Sequence, residues 1–222
     1  MGNDGGSINK AHNLKLTFET SSKNESLDVK EFNDNSKWKI CRLSGKKLRL
    51  PVVSDYKGNI FNKDAVLEWL LSPSKEEYSQ ELIKKFAHIK KLNDVIELQN
   101  LEEAYCKGEE DEDLIPIGLK CKFGDDLLGS SSLQYVYLIP CGDVLPRDAL
   151  NLTKNSVCPV CQSNFENKNL IPLNPTFLDD EYKLQQRINE LDLQHKFHNL
   201  KPKGSKKKRR RNEKQLGKIA KR

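Results

Sequence analysis

The sequence predicts an α+β fold built from two copies of one small unit, a β-hairpin followed by a helix. The first observation is an internal repeat, in which GNIFNKDAV at residues 58–66 aligns without a gap with GDVLPRDAL at residues 142–150. A cysteine precedes each block, Cys41 in one and Cys121 in the other. The second observation is composition, because 36% hydrophobic and 32% charged residues allow only small cores. Ordered matches of this kind indicate a duplicated structural unit.

The first unit is assigned to residues 37–100, and its hydrophobic pattern defines short elements. In order, we expect two short strands in 41–53, a strand in 56–61, a helix over 63–71 capped by Asn62, a surface-facing helix over 75–92 and a closing strand over 94–98. Position for position, Lys57 and Asn59 stand where the second unit has Cys141 and Asp143. The first unit must therefore hold its loops by apolar packing and hydrogen bonds.

The remaining segments follow from charge and periodicity. Residues 101–118 contain most of the acidic residues between the repeats and are expected to form a linker or solvated loop. The second unit is assigned to residues 119–174, and a helix is expected over 175–200. Its stripe of Leu178, Tyr182, Ile188, Leu191 and Phe197 is expected to pack on the second unit, with a partner as the alternative.

Four side chains in the second unit form a candidate metal site: Cys141, Asp143, Cys158 and Cys161. A Cys-x₂-Cys knuckle directs two sulfurs to one side of the chain, and a pair one residue apart at a hairpin tip can do the same. Three sulfurs and one oxygen suit a tetrahedral zinc ion. The alternative is a hydrogen-bonded loop of the same shape with free thiols.

The two ends of the chain are candidate binding segments. Residues 201–222 hold 12 Lys and Arg and one Glu, a charge of +11, which leaves −5 for the rest of a chain of net charge +6. The centre of this tail is typical of a nuclear-localisation signal and consists of Lys206, Lys207, Lys208, Arg209, Arg210 and Arg211. The alternatives are contact with nucleic acid or a solvated, disordered tail. At the other end, residues 1–36 begin with a glycine-rich peptide that is either flexible or docks on a partner through Gly2, Asp4, Gly5 and Gly6.

The sequence contains no long apolar run and does not begin with a secretion signal. We therefore expect a soluble intracellular protein that does not contact membranes. Its six cysteines are then expected to be reduced thiols or metal ligands.

The two units resemble known domains. The first resembles a U-box, the metal-free relative of the RING domain, in CRLSG at 41–45, PVV at 51–53, GNIF at 58–61 and AVLEWL at 65–70. The second resembles a RING domain that retains only its second zinc site, with Cys121 remaining from the first. With MGNDGGSI at 1–8 and HIKKLNDVIEL at 88–98, the chain resembles the replication termination factor 2 family.

That resemblance implies a nuclear protein that stabilises replication forks paused at a site-specific termination barrier and that also has a role in pre-messenger RNA splicing. It also implies Cys-x-His as the first ligand pair, so Asp143 departs from the family pattern. The implied partners are proteins of the replisome or the spliceosome.

Two functions compete at this point. The first is a non-enzymatic nuclear adaptor, because two small modules, a glycine-rich peptide and a basic tail all serve binding. The second is a ubiquitin or SUMO ligase that recruits an E2 conjugating enzyme, for which Leu43 and Phe123 would be the apolar contacts. Catalysis by a metal is disfavoured, because all four histidines lie outside the cysteine cluster and four protein ligands would close the coordination sphere.

Overall fold

The computed structural model describes residues 35–72, 74–107, 114–124, 126–151 and 156–203. It contains eight β-strands and four α-helices within these ranges. The elements are β1 (Val52–Asp55), β2 (Ile60–Asn62), α1 (Lys63–Leu71), α2 (Gln80–Lys85), β3 (Val95–Glu97), β4 (Leu101–Lys107), β5 (Leu114–Cys121), β6 (Tyr135–Leu138), β7 (Val144–Pro146), α3 (Arg147–Asn151), β8 (Leu170–Pro172) and α4 (Leu178–Leu193). A short 3₁₀ helix precedes β3, and another precedes β8.

The internal repeat is a structural repeat. One antiparallel sheet has the order β2-β1-β3, and the other has the order β7-β6-β8. Their registers also match: Ser54 pairs with Ile60 and Ile96, as Tyr137 pairs with Val144 and Ile171. A helix follows the hairpin in each copy. The predicted α+β fold is therefore confirmed.

Two details of the first unit differ from the prediction. No strand forms at Cys41, where the structure has turns and one isolated bridge between Ile40 and Lys47. The helix expected over 75–92 is the six-residue α2, which the Ser79 hydroxyl caps by accepting a hydrogen bond from the Leu82 amide. The helix starts late because residues 75–78 form a turn and Ser79, the capping residue, has an extended backbone.

Asn62 directly precedes α1 as predicted, but its side chain does not cap the helix. The Oδ1 atom accepts from the Arg49 amide at 3.0 Å, and Nδ2 donates to the Lys47 carbonyl at 3.0 Å. The Asn62 side chain therefore holds residues 47–49 beside the start of α1. Cys41 and Leu48 are buried in the core.

The prediction that residues 101–118 form a linker or solvated loop is wrong for 101–107 and 114–118, the parts that the structure describes. Strands β4 and β5 form an antiparallel hairpin there, paired from Leu101 with Cys121 to Lys107 with Leu114. Glu102 on β4 lies opposite Lys120 on β5 and forms a 2.8 Å ion pair with it. Leu101 and Leu119 are buried in the main core, so packing of alternate residues overrides the low β-propensity of the acidic sequence.

The two units pack against each other through equivalent contacts. The Asn174 amide donates to the Gly58 carbonyl at 2.9 Å, and the Gln99 amide donates to the Gly142 carbonyl at 2.8 Å. Both glycines have positive φ, +80° and +82°. A Cβ atom on Gly58 would clash with the Pro172 carbonyl oxygen, and one on Gly142 would clash with the Glu97 carbonyl oxygen. Each hairpin turn thus touches the segment that closes the other unit, and the pair has an approximate two-fold relation.

The buried face of α4 includes Leu191 from the predicted stripe but not Leu178 or Tyr182. Its buried residues are Leu184, Arg187 and Leu191, whereas Leu178 and Tyr182 are 81% and 66% exposed. The helix ends at Leu193, and the chain then turns back so that Phe197 and His198 are also buried. Residues 201–203 belong to the folded body too, because Pro202 pairs with Lys196. None of the described helices is long and apolar enough to cross a bilayer.

Candidate metal centre

The predicted metal-binding side chains come together in the second unit. The sulfurs of Cys141, Cys158 and Cys161 and a carboxylate oxygen of Asp143 all lie within 4.8 Å of one another. Cys141 and Asp143 flank Gly142 in the turn between β6 and β7. This turn needs glycine at its centre, both for its positive φ and for its close approach to β3.

Backbone hydrogen bonds shape the knuckle that carries the other two cysteines. The Cys158 amide donates to the Ser163 carbonyl at 2.8 Å, and the Gln162 amide donates back to the Cys158 carbonyl at 2.9 Å. Gln162 adopts φ +60°, which closes the knuckle in the way that Gly45 (φ +65°) closes the turn after Cys41. The knuckle therefore has its shape from the chain itself.

The electrostatics of the cluster favour a cation. Asp143 is only 5% exposed, and the hydrogen bond at its Oδ2 atom comes from the Cys158 thiol at 3.3 Å. Burial raises the pKa of the Cys141 and Cys158 thiols, and the Asp143 carboxylate raises both further. Thiolates at Cys141 and Cys158 are therefore unfavourable unless a cation compensates their charge.

The four donors fit a tetrahedral zinc ion. Zinc–sulfur bonds of about 2.3 Å place tetrahedral ligands about 3.8 Å apart, so the cluster needs only a small contraction. The set leaves no open coordination position, which is typical of a structural site. Cys161 is exposed and lies 2.9 Å from the Ser163 hydroxyl, so the outer edge of the cluster is reachable from solvent.

The corresponding loop of the first unit is held by a carboxylate. The Oδ1 atom of Asp55 accepts from the amides of Lys57 at 3.0 Å and Asn59 at 2.9 Å. Its Oδ2 atom lies 2.9 Å from both the Asn59 side-chain nitrogen and the His88 Nε2 atom. Leu138 occupies the register position of Asp55 in the second unit. The prediction that the first unit holds its loops by packing and hydrogen bonds is confirmed.

A buried polar chain joins both units to the C-terminal segment. The Tyr137 hydroxyl donates to the Asp55 carbonyl at 2.7 Å and lies 2.7 Å from the His198 Nε2 atom. Arg187 lies 3.0 Å from the His198 Nδ1 atom, and it donates two hydrogen bonds to the Asn169 side chain. The Tyr137 hydroxyl donates its hydrogen bond to the Asp55 carbonyl, and Arg187 donates to Nδ1 of His198. The His198 imidazole is therefore neutral and protonated at Nε2.

The surroundings of His198 in this hydrogen-bonded series keep its imidazole neutral. Burial lowers the pKa of His198 well below its usual value, and the Arg187 charge lowers it further. Burial also lowers the pKa of Arg187. The sequence analysis did not identify these residues, because Tyr137, Arg187 and His198 are far apart in sequence and share no motif. The only signal is an arginine and a histidine within an otherwise apolar face.

The other predicted binding residues have mixed positions. Leu43 is only 5% exposed and belongs to the main core, because the turn after Cys41 points it inward. It is therefore not available as the surface contact expected for a conjugating enzyme. Phe123 is 51% exposed. The docking residues Gly2, Asp4, Gly5 and Gly6 and the basic cluster over 206–211 lie outside the described residues.

Comparison with known proteins adds a family. The model of the family described as "Rtf2 RING-finger" matches residues 1–222. "Replication termination factor 2" of Sus scrofa is 34% identical over 205 residues, which cover 89% of this chain and 64% of that protein. The Bos taurus protein of the same name is also 34% identical, over 65% of its length. "Splicing factor rtf2" of Schizosaccharomyces pombe is 30% identical over the whole of this chain and 84% of its own length. The chain thus spans less than two thirds of the length of the two mammalian relatives.

Proposed function

Because the chain belongs to the Rtf2 RING-finger family, we propose that it is a nuclear, non-enzymatic adaptor that acts in replication termination and in pre-messenger RNA splicing. The observation that carries the proposal is the match to relatives named for those two processes, over 89% of the chain for one and over the whole chain for the other. The paired units support it, because their reciprocal contacts join two small modules into one body. The partners are proteins of the replisome or the spliceosome.

One structural zinc ion is part of this proposal. Cys141, Asp143, Cys158 and Cys161 would hold it, and it would cross-link the hairpin turn to the knuckle. The support is the convergence of the four donors and the burial of Asp143. Purified protein should contain one zinc per chain, and the double change Cys158→Ser, Cys161→Ser should lose it. Well-folded protein without zinc would refute this assignment.

The docking role is assigned to the N-terminal peptide. We expect the full chain to recover replication or splicing proteins from nuclear extract, and Gly5→Val with Gly6→Val to lose them, because side chains there would block close backbone approach. Ser21→Val with Ser22→Val is the matched control in the neighbouring segment. Recovery of the same proteins by the glycine variant would contradict the docking role.

Nuclear import is assigned to the basic tail, with contact to nucleic acid as a second role for the same charges. Deletion of residues 204–222 preserves the folded body, which includes residues 201–203. The deletion should move the protein out of the nucleus and should lower any salt-dependent binding to nucleic acid. An unchanged distribution in cells would leave the tail without this function.

A further inference from the structure

A cleft lies between the first unit and helix α4, and none of the residues that line it belongs to the cysteine cluster. The turn between β1 and β2 forms one wall, and the N-terminal half of α4 forms the other. Its volume is about 630 Å³, which is within the range of about 300–1,000 Å³ that small-molecule sites occupy. The two walls are joined by a hydrogen bond, which the Tyr56 hydroxyl donates to the Gln185 side chain at 3.3 Å.

The cleft concentrates positive charge. Four cationic side chains line it, Lys37, Arg42, Lys57 and Lys85, against one carboxylate, Glu181. Since the chain outside residues 201–222 carries a net charge of −5, this concentration is local. Burial lowers the pKa of Lys85, and the charges of Arg42 and Lys37 lower it further. An anion bound among these side chains would be attracted by all four charges at once.

The mouth of the cleft presents exposed apolar and aromatic surface. Tyr182 and Leu178 lie four residues apart on α4 and are 66% and 81% exposed, and both line the cleft. The fold does not use them, because α4 buries Leu184 and Leu191 instead. A flat ring beside a group of cations is the arrangement that binds a base and its phosphate in single strands.

We propose that this cleft binds single-stranded nucleic acid, with phosphate among Lys37, Arg42, Lys57 and Lys85 and with a base against Tyr182. A phosphorylated peptide would also place phosphate there, but the exposed ring at the mouth favours a base. The site belongs to the folded body, so it is distinct from the basic tail. It does not depend on zinc or on the docking role of the N-terminal peptide.

Photocross-linking of the full chain tests the proposal and separates the cleft from the tail. The probes are an oligouridylate and an oligothymidylate of about six nucleotides, a length suited to one single-strand site. After ultraviolet irradiation, mass spectrometry of peptides should locate adducts at Tyr182 or Tyr56. Lys57→Glu with Lys85→Glu should lower the yield of these adducts at least about fivefold, because phosphate contacts are lost.

The control is Lys84→Glu with Lys90→Glu, which makes the same charge change at two exposed lysines that do not line the cleft. It should keep most of the yield. If the test variant melts at a lower temperature, Lys57→Gln with Lys85→Gln replaces it. Adducts confined to residues 204–222, equal losses in test and control variants, or no loss in either would overturn the proposal. Binding of a phosphoserine peptide instead of either oligonucleotide would assign the cleft to phosphopeptides and would also overturn it.

Discussion

The equivalent loops of the two units are held by different chemistry on the same frame. In the first unit the buried carboxylate of Asp55 gathers two backbone amides, an amide side chain and an imidazole. In the second unit, Leu138 replaces that carboxylate, and the loop itself supplies Cys141 and Asp143 to a cluster. The first loop is therefore held by hydrogen bonds to one carboxylate, whereas the second gathers four side chains that could hold a metal ion.

The difference shows which part of the unit is fixed and which is free to change. Strand order, register and the turn glycine are the same in both copies, because the turn glycines also make the contact between the units. The groups that hold the loop differ, because a single buried carboxylate or a metal can each tie the hairpin to the segment that follows the helix.

Removal of the Asp55 carboxylate should have the largest effect. Asp55→Ala would leave the Lys57 and Asn59 amides and the His88 imidazole without their acceptor in a buried site. We expect the free energy of unfolding to fall by about 3–5 kcal/mol, measured by urea denaturation. Asp64→Asn, at an exposed position of α1, is the control and should change it by less than about 0.5 kcal/mol. A small loss for Asp55→Ala would mean that packing alone holds the loop.

Substitution of the turn glycines tests the reciprocal contact between the units. Gly58→Ala and Gly142→Ala should each lower the free energy of unfolding by clearly more than Gly45→Ala. All three positions have positive φ, which costs an alanine about 1–2 kcal/mol. Only at Gly58 and Gly142 would the new methyl group also meet a backbone carbonyl, whereas the space at Gly45 is open. Equal losses at all three positions, by chemical denaturation, would argue against close contact of the units.

The buried chain at His198 should make stability depend on pH. Its pKa is lowered in the folded state, so the unfolded chain binds the proton first as pH falls below about 6.5. Stability from this group is complete above that pH and should decrease by about 1.4 kcal/mol per pH unit below it. We would measure the free energy of unfolding by denaturation in buffers between pH 7.5 and 5. His198→Gln should flatten its dependence on pH, whereas His195→Gln, at an exposed position, should not. The same slope in all three proteins would show that other groups cause it.

The sequence predicts the local features well and the long-range ones poorly. The repeat, the cysteine knuckle and helix α1 follow from residues close together in the chain, and the structure contains all three. The Asp55 site and the chain through Arg187 depend on tertiary contacts between distant segments. A single sequence contains no pattern that pairs them.

Two wrong predictions have the same origin. Residues 101–107 form strand β4 because Leu101, and Leu119 on the paired strand β5, reach the core, although the acidic composition suggests a loop. Leu43 was expected at the surface from its place after the first cysteine, but the turn at Gly45 directs it into the core. In both cases burial of a few apolar side chains decides the structure.

Hydrogen exchange with and without a zinc chelator tests most directly whether the two loops are held by different chemistry. In the full-length protein, chelation should speed exchange of the amides over residues 141–144 and 156–163, because the loss of a shared ion separates the turn from the knuckle. The amides of Lys57 and Asn59, which the Asp55 carboxylate holds, should exchange at an unchanged rate. Unchanged exchange in both loops, or faster exchange in both, would contradict the account.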